Sequence, residues 1–186
     1  MNRRLFTFVG GSTGRWHVTR VKTIVGEPIS AAAKVDVLEG RAMPNPDTSW
    51  AFSGITSNDR YVSLDEKQHL ALNQAGVGRP EAVCAALVLI RKSAAWWILS
   101  QTERRGILED QSKHIAIGME YLPAIARRLH HCHDLGENEP FDFLTWFEYS
   151  PTYAADFNQL VSRLRATEEW KYVDREIDIR LVREPE

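Results

Sequence analysis

His114 and Arg127 are the residues in this chain whose types and spacing most suggest chemistry. The histidine sits just after a helix-like run, and thirteen positions later the arginine falls on the apolar face of a strand-like segment. A guanidinium in apolar surroundings is costly unless an anionic or strongly polar group meets it. A histidine on one element facing an arginine on the next suggests a bound group held between them. Two readings of Arg127 stand on spacing alone, a salt bridge to a carboxylate across the sheet and a site for an anion. Arginine suits the second, being always charged with a fixed fork of donors.

The positions after His114 at helical spacing are Ile117 and Gly118, which cannot bind a metal, so a four-ligand zinc site is not expected there. A single axial histidine is what a haem needs, because the porphyrin supplies four ligands. His130, His131 and His133, with Cys132 and Asp134 between and beside them, form a second candidate metal cluster. The plainer reading of that cluster is an exposed hairpin edge. Glu168 lies just past the last helix, where a glutamate is ordinarily solvated, and Glu169 is the better candidate for the solvated role. Trp96 and Trp97 are adjacent, and large indoles line either cores or flat ligands.

The elements that must position these residues are legible in the hydrophobic pattern. Leu5 to Val9 alternates as a strand ended by Gly10-Gly11, Trp16 to Val25 reads as a second strand, and Ala31 to Gly40 is ambiguous. Met43 to Asp47 holds two prolines and reads as a loop, followed by a strand over Trp50 to Thr56 broken by Gly54. Ser63 and Glu66 make a capping box for a helix to about Gln74. Val83 to Arg91 is apolar on both faces and reads as a central strand, with a helical turn through Trp96-Trp97 after it. Ser100 and Glu103 open a helix expected to end near Gln111 or Lys113.

Ile125 to His133 alternates, with Ile125, Arg127, Leu129 and His131 on one face and Ala126, Arg128, His130 and Cys132 on the other. Gly136 to Pro140 turns the chain into a return strand over Phe141 to Tyr149. Ser150-Pro151 opens the last helix, whose stripe is Tyr153, Phe157, Leu160, Val161 and Leu164. Ile177, Ile179 and Leu181 mark the final strand.

Strand, helix, hairpin, helix, strand is the split βαβ order. The fold expected is α+β and ferredoxin-like, a dimeric α+β barrel with antiparallel sheet. Residues 1–80 form a shortened N-terminal half and 81–186 a C-terminal half, together one structural unit. An antiparallel sheet with helices on one side leaves its other face for a ligand or partner.

Bulk properties narrow the function classes. The net charge of −2 with no long basic run gives no electrostatic support for nucleic-acid binding. The longest apolar run, Ala82 to Ile90, is too short for a membrane span. The start, Met1 to Leu5, carries basic residues without a sustained apolar stretch after them, which reads as no signal peptide and favours the cytoplasm. Cys84 and Cys132 make no disulfide framework; Cys84 reads as a core residue, and a bond between the two stays open.

Several segments taken together resemble the chlorite dismutase family, in its short branch. They are the Leu-Ile-Arg-Lys-Ser-Ala-Ala-Trp-Trp run ending at Trp97, the Glu-Arg-Arg-Gly-Ile-Leu-Glu run ending at Glu109, His114 with Ile117-Gly118, Leu122-Pro123, Arg127, Phe147-Glu148 and Arg165-Ala166-Thr167-Glu168. The resemblance implies a haem b enzyme that decomposes chlorite to chloride and dioxygen. It implies Cl–O cleavage at ferric haem, then O–O bond formation with hypochlorite held by a distal arginine. His114 would be the proximal iron ligand, Glu168 would accept a hydrogen bond from its other ring nitrogen, and Lys92 would partner Glu168. Trp96 and Trp97 would flank the haem, and Arg127 would be the distal arginine. Leu122, Phe143 and Phe147 would make the distal wall apolar, and Gln74 would orient Arg127. Short members resemble dimers, so a homodimer acting on chlorite and other small anions is expected. The alternatives are a coproheme decarboxylase, which generally lacks the distal arginine, a non-catalytic haem-binding sensor, and a haem-free barrel for a small organic ligand.

Overall fold

Among the described residues, eight antiparallel strands close into a barrel in the order β1-β3-β2-β8-β5-β7-β6-β4. They are β1 (Leu5–Gly11), β2 (Trp16–Val25), β3 (Lys34–Glu39), β4 (Thr48–Thr56), β5 (Cys84–Lys92), β6 (Ala126–His131), β7 (Phe143–Tyr149) and β8 (Val173–Arg183). The structure, a computed structural model, describes residues 4–43, 45–136 and 139–184. Pro44 of the expected loop, Glu137 and Asn138 of the expected turn, and Met1, Asn2 and Arg3 of the start lie outside the described residues.

The barrel is two four-stranded halves. Within each, the fourth strand pairs the first, the first the third and the third the second, giving β4-β1-β3-β2 and β8-β5-β7-β6. β2 pairs β8 along nearly its whole length, while β4 meets β6 through only Ile55↔His131 and Thr56↔His130. In the second half, helices fill both crossovers. They are α2 (Ala94–Trp97), α3 (Gln101–Arg105) and α4 (His114–Met119) after β5, and α5 (Ala154–Arg165) after β7. α1 (Leu64–Asn73) joins the halves. Among the described residues no helix is long and apolar enough to cross a membrane.

Strand alternation sorts side chains to the two faces of this sheet. The barrel interior takes Phe8, Leu87, Leu89, Trp146, Ile177 and Ile179. The outer face of the second half takes Ala86, Val88 and Phe147, against which α5 packs Phe157, Leu160, Val161 and Leu164. Burying each of the larger aliphatic or phenyl side chains contributes about 1.5–3 kcal/mol. Tyr153 of the expected stripe stays 40% exposed, because the chain enters α5 through a 3₁₀ turn, Pro151–Tyr153, whose phase differs from the helix. β5 is apolar on both faces because it lies between β7 and β8 with the core on one side and α5 on the other.

Two glycine sites differ from expectation for one reason. β1 runs through Gly10 and Gly11, and β4 is unbroken at Gly54. At Gly10 an added Cβ would sit 2.1 Å from the Trp50 ring, and at Gly54 it would sit 2.7 Å from Cβ of His130. Both mark close approaches inside the barrel rather than strand ends. Both capping boxes form, at Ser63/Glu66 and Ser100/Glu103. The helix opened by Ser100 changes at Arg105 into a π-helical segment, Gly106–Gln111. Cys84 and Cys132 are free thiols.

His130 is fully buried inside the barrel as a neutral ring. Arg128 Nε donates to its Nε2 at 3.1 Å, so Nδ1 carries the proton toward the Leu144 carbonyl, also 3.1 Å away. Burial, then the Arg128 charge, lowers its pKa to about 4, and burial with Arg60 lowers that of His131 to about 4. The unfolded chain therefore binds protons below pH 6.5 that the native state refuses. Stability from these groups is complete above pH 6.5 and is lost as pH falls toward 4. Denaturant titrations at pH 7 and pH 5 should differ by roughly 2 kcal/mol for each histidine; a pH-independent midpoint across that window would contradict the neutral rings.

Candidate active site

A cleft of about 1220 Å³, counting its open mouth, lies on the outer face of the β5–β7–β6 sheet beneath α1, α4 and α5. His114 and Met119 of α4 line its helical wall, Arg127, Phe143 and Phe147 its sheet wall, and Leu122 lines it from the turn that joins α4 to β6. His114 and Arg127 therefore share one cavity.

His114 opens α4 and is held from below. Its Nδ1 lies 2.5 Å from Oε2 of Glu169, whose Oε1 accepts from Lys92 Nζ at 2.7 Å. The Lys92 and Glu169 side chains are only 3% and 5% exposed. Burial alone would raise the Glu169 pKa, but the His114 and Lys92 charges and hydrogen bonds overturn that and hold it well below the usual carboxylate range. The ionised Glu169 engages Nδ1, which leaves Nε2 as the His114 nitrogen not held by the carboxylate. The Lys92 ammonium also lies 4.6 Å from the Trp96 ring centre and 5.6 Å from that of Trp170.

On the opposite wall Arg127 is poorly partnered. Its Nη2 makes one long bond, 3.4 Å, to the Asn58 carbonyl, and among the described residues it forms no ion pair. Burial lowers its pKa, opposed by the Asp59 charge. Arginine stays charged regardless, so the cleft presents a cation with unspent donors. The strand beneath it is fixed, since Asn58 Oδ1 accepts the Leu129 N–H at 2.8 Å and Gln74 Nε2 donates to the Arg127 carbonyl at 2.5 Å. A guanidinium with free donors and an imidazole nitrogen lining one apolar cavity can hold a small anion beside a group bound to that nitrogen.

A family model described as chlorite dismutase matches residues 34–184. The chain belongs to the chlorite dismutase family. It is 52% identical to one of the dimeric chlorite dismutases from Nitrobacter winogradskyi, with a TM-score of 0.88 over 96% of this chain and 99% of that one. A chlorite dismutase from Ideonella dechloratans is 29% identical over 128 residues, which are 68% of this chain but 42% of that relative. A mutant chlorite dismutase from Candidatus Nitrospira defluvii, in complex with cyanide, shares the fold at 18% identity, with a TM-score of 0.71 over 99% of this chain and 92% of that one.

The cleft of this chlorite dismutase family member brings together His114, Lys92, Trp96, Leu122, Gln74, Arg127, Phe143 and Phe147. It does not take in Glu168 or Trp97, and Gln74 acts differently from expectation. Glu168 is 52% exposed and pairs with Lys171, while Glu169 is the buried partner of His114 and Lys92. Residues 168–172 form a 3₁₀ turn, in which neighbours point about 120° apart, so only one of the two glutamates can face inward. The same argument removes Trp97, since α2 turns it about 100° from Trp96. Its ring stacks on His133 at 3.6 Å and its Nε1 donates to Asp142 at 3.2 Å. Gln74 bonds the Arg127 backbone and not its guanidinium.

Among the described residues no three His, Cys, Asp or Glu side chains could hold a metal ion. The candidate cluster divides, with His133 bonded to Asp142 at 2.7 Å and His130 inside the barrel. His130 and His131 are buried while His133 and Asp134 are exposed, so the edge is exposed only toward its turn. Glu169, expected to be solvated, is instead 4% exposed, and Trp170, Asn58 and Tyr61 went unread in the sequence. The turn-forming Ser57-Asn58-Asp59 was a signal available for Asn58, since asparagine there often bonds nearby backbone.

The correction is measurable without any ligand. Glu169→Gln leaves the buried Lys92 ammonium without its countercharge and should cost about 3 kcal/mol. Glu168→Gln should fall within about 0.5 kcal/mol of the parent. Urea unfolding of the two variants side by side distinguishes them, and equal stabilities would return the role to Glu168.

Proposed function

We propose that this chain is a haem b enzyme that decomposes chlorite to chloride and dioxygen. The observation that carries the reading is His114 and Arg127 in one apolar cleft, with the Nδ1 of His114 committed to Glu169. Family membership and the 52% identity to a dimeric chlorite dismutase support it. The residues present suit the cofactor. His114 Nε2 makes no hydrogen bond among the described residues, and Trp96 Nε1 and the Tyr61 hydroxyl are buried on the cleft wall without partners.

His114 would hold haem b through Nε2, with Lys92 and Glu169 fixing its tautomer and raising its donor strength. When bound, haem b would supply the iron redox chemistry for cleaving the chlorine–oxygen bond of chlorite. Arg127 draws the chlorite anion into the cleft and pairs with its charge. Arg127 then retains hypochlorite, which is small and escapes easily, until the oxygen–oxygen bond forms. Phe143, Phe147 and Leu122 keep that space dry, which strengthens the pairing. No histidine or carboxylate is required on the distal wall, because chlorite brings no proton to remove. An oxygen-electrode trace on haem-loaded protein with chlorite tests this, and the absence of oxygen would defeat it.

We further read the barrel as two ferredoxin-like halves, residues 1–80 and 81–186, acting as one unit in a homodimer. The strand order in each half and the dimeric relative support this.

A further inference from the structure

The Glu-Arg-Arg-Gly-Ile-Leu-Glu run ends in a buried carboxylate, Glu109, that the proposed reaction does not use. α4 begins at His114 with its first N–H groups needing acceptors, as at any helix start. Its N-cap, Lys113, has no side chain able to accept, and its φ of 54° places it in the left-handed region. A lysine pays for that conformation, so something else must hold the turn. Glu109 does so from outside the helix. Its Oε2 accepts the Ile115 N–H at 2.7 Å and its Oε1 the Ala116 N–H at 3.3 Å. Glu109 reaches them because the chain is π-helical from Gly106 to Gln111, which displaces this carboxylate relative to an ordinary α-helix. Next to it Ser112, 4% exposed, accepts the Glu169 N–H through Oγ at 2.9 Å.

We propose that Glu109 is a positioning residue for His114. It fixes the first turn of α4 so that Nδ1 meets Glu169 and Nε2 faces the cleft. It also places a negative charge at a helix start that would otherwise be electropositive toward the imidazole. The inference rests on His114 as the iron ligand and deepens that reading. Two carboxylates then act on one ring, Glu169 directly and Glu109 through the backbone, and both favour the ferric state of a bound haem.

The test uses haem-loaded protein carrying Glu109→Gln, which keeps the volume and one acceptor but loses the charge, beside Glu109→Ala. Glu184→Gln, which removes the charge that pairs with Lys34 and His17 away from the cleft lining, serves as the control for a general loss of stability. The Glu109 variants should release haem to a scavenging apoglobin about tenfold faster. Their ferric/ferrous midpoint should move positive, with Glu109→Gln between the parent and Glu109→Ala. Glu184→Gln should leave both quantities unchanged. A midpoint and release rate in Glu109→Gln equal to the parent, or shifts matched by Glu184→Gln, would overturn the proposal. His114→Ala separates the two failures. If His114→Ala abolishes axial imidazole ligation while Glu109→Gln behaves as the parent, only this inference falls. If His114→Ala keeps a normal spectrum, the ligand assignment falls as well.

Discussion

His114→Ala is expected to give folded protein that binds haem at least about 100-fold more weakly, since even residues that only support a metal ligand are worth 10–100-fold. The fold should survive because the His114 side chain is 24% exposed and fills no core position. Its loss still leaves Glu169 paired with Lys92 at 2.7 Å. The vacated volume has the shape of an imidazole and borders the acceptor that held one, so added imidazole should restore part of the binding. Titrating haem into the variant by absorbance, with and without imidazole, checks both statements. A spectrum showing axial histidine in the variant would remove the proximal assignment.

Arg127→Ala is expected to keep haem and to lose turnover by about 10²–10³-fold, the usual cost of removing one preorganised charge partner from a reacting anion. The molecules that still turn over should bleach after fewer cycles, as hypochlorite leaves before the oxygen–oxygen bond forms. Stability should not fall, because the guanidinium gives up a single 3.4 Å bond and a cation leaves apolar surroundings. Arg127→Lys should fall between, keeping a charge but losing the planar fork. Initial rate and total oxygen released, measured with an oxygen electrode, report the two effects separately. Unchanged rate and lifetime in Arg127→Ala would mean that the distal cation is a bystander.

How much of this site was readable from sequence depended on the period of the element carrying each residue. On β6 a period of two sends Arg127 and Leu129 to one face and Arg128 and His130 to the other, and the structure divides them in that way. The strand at Cys84–Lys92 and the stripe of α5 were similarly legible, because apolar side chains repeat there over several residues. Short turns gave no such repeat. Glu168 and Glu169 differ only in phase within a five-residue 3₁₀ segment, and nothing local fixes that phase. Trp96 and Trp97 pose the same problem in a four-residue helix. The π-helical Gly106–Gln111 was invisible because its geometry departs from the α-helical pattern its own capping box announces. Gly54 was misread because close packing between strands, unlike a turn, leaves no signal in the neighbouring sequence.

The paired arginines of β6 carry a consequence for how this chain tolerates changes in length. Arg128 lies against the Phe6 ring at 3.8 Å inside the barrel, one position from Arg127 in the cleft. Deleting a single residue between α4 and β6 would exchange them, delivering a guanidinium to the cleft while stranding its neighbour among interior aromatic rings. An alignment scored on residue identity would hardly register that change. Loop lengths on either side of this strand are thus as much a part of the chemistry as the side chains themselves.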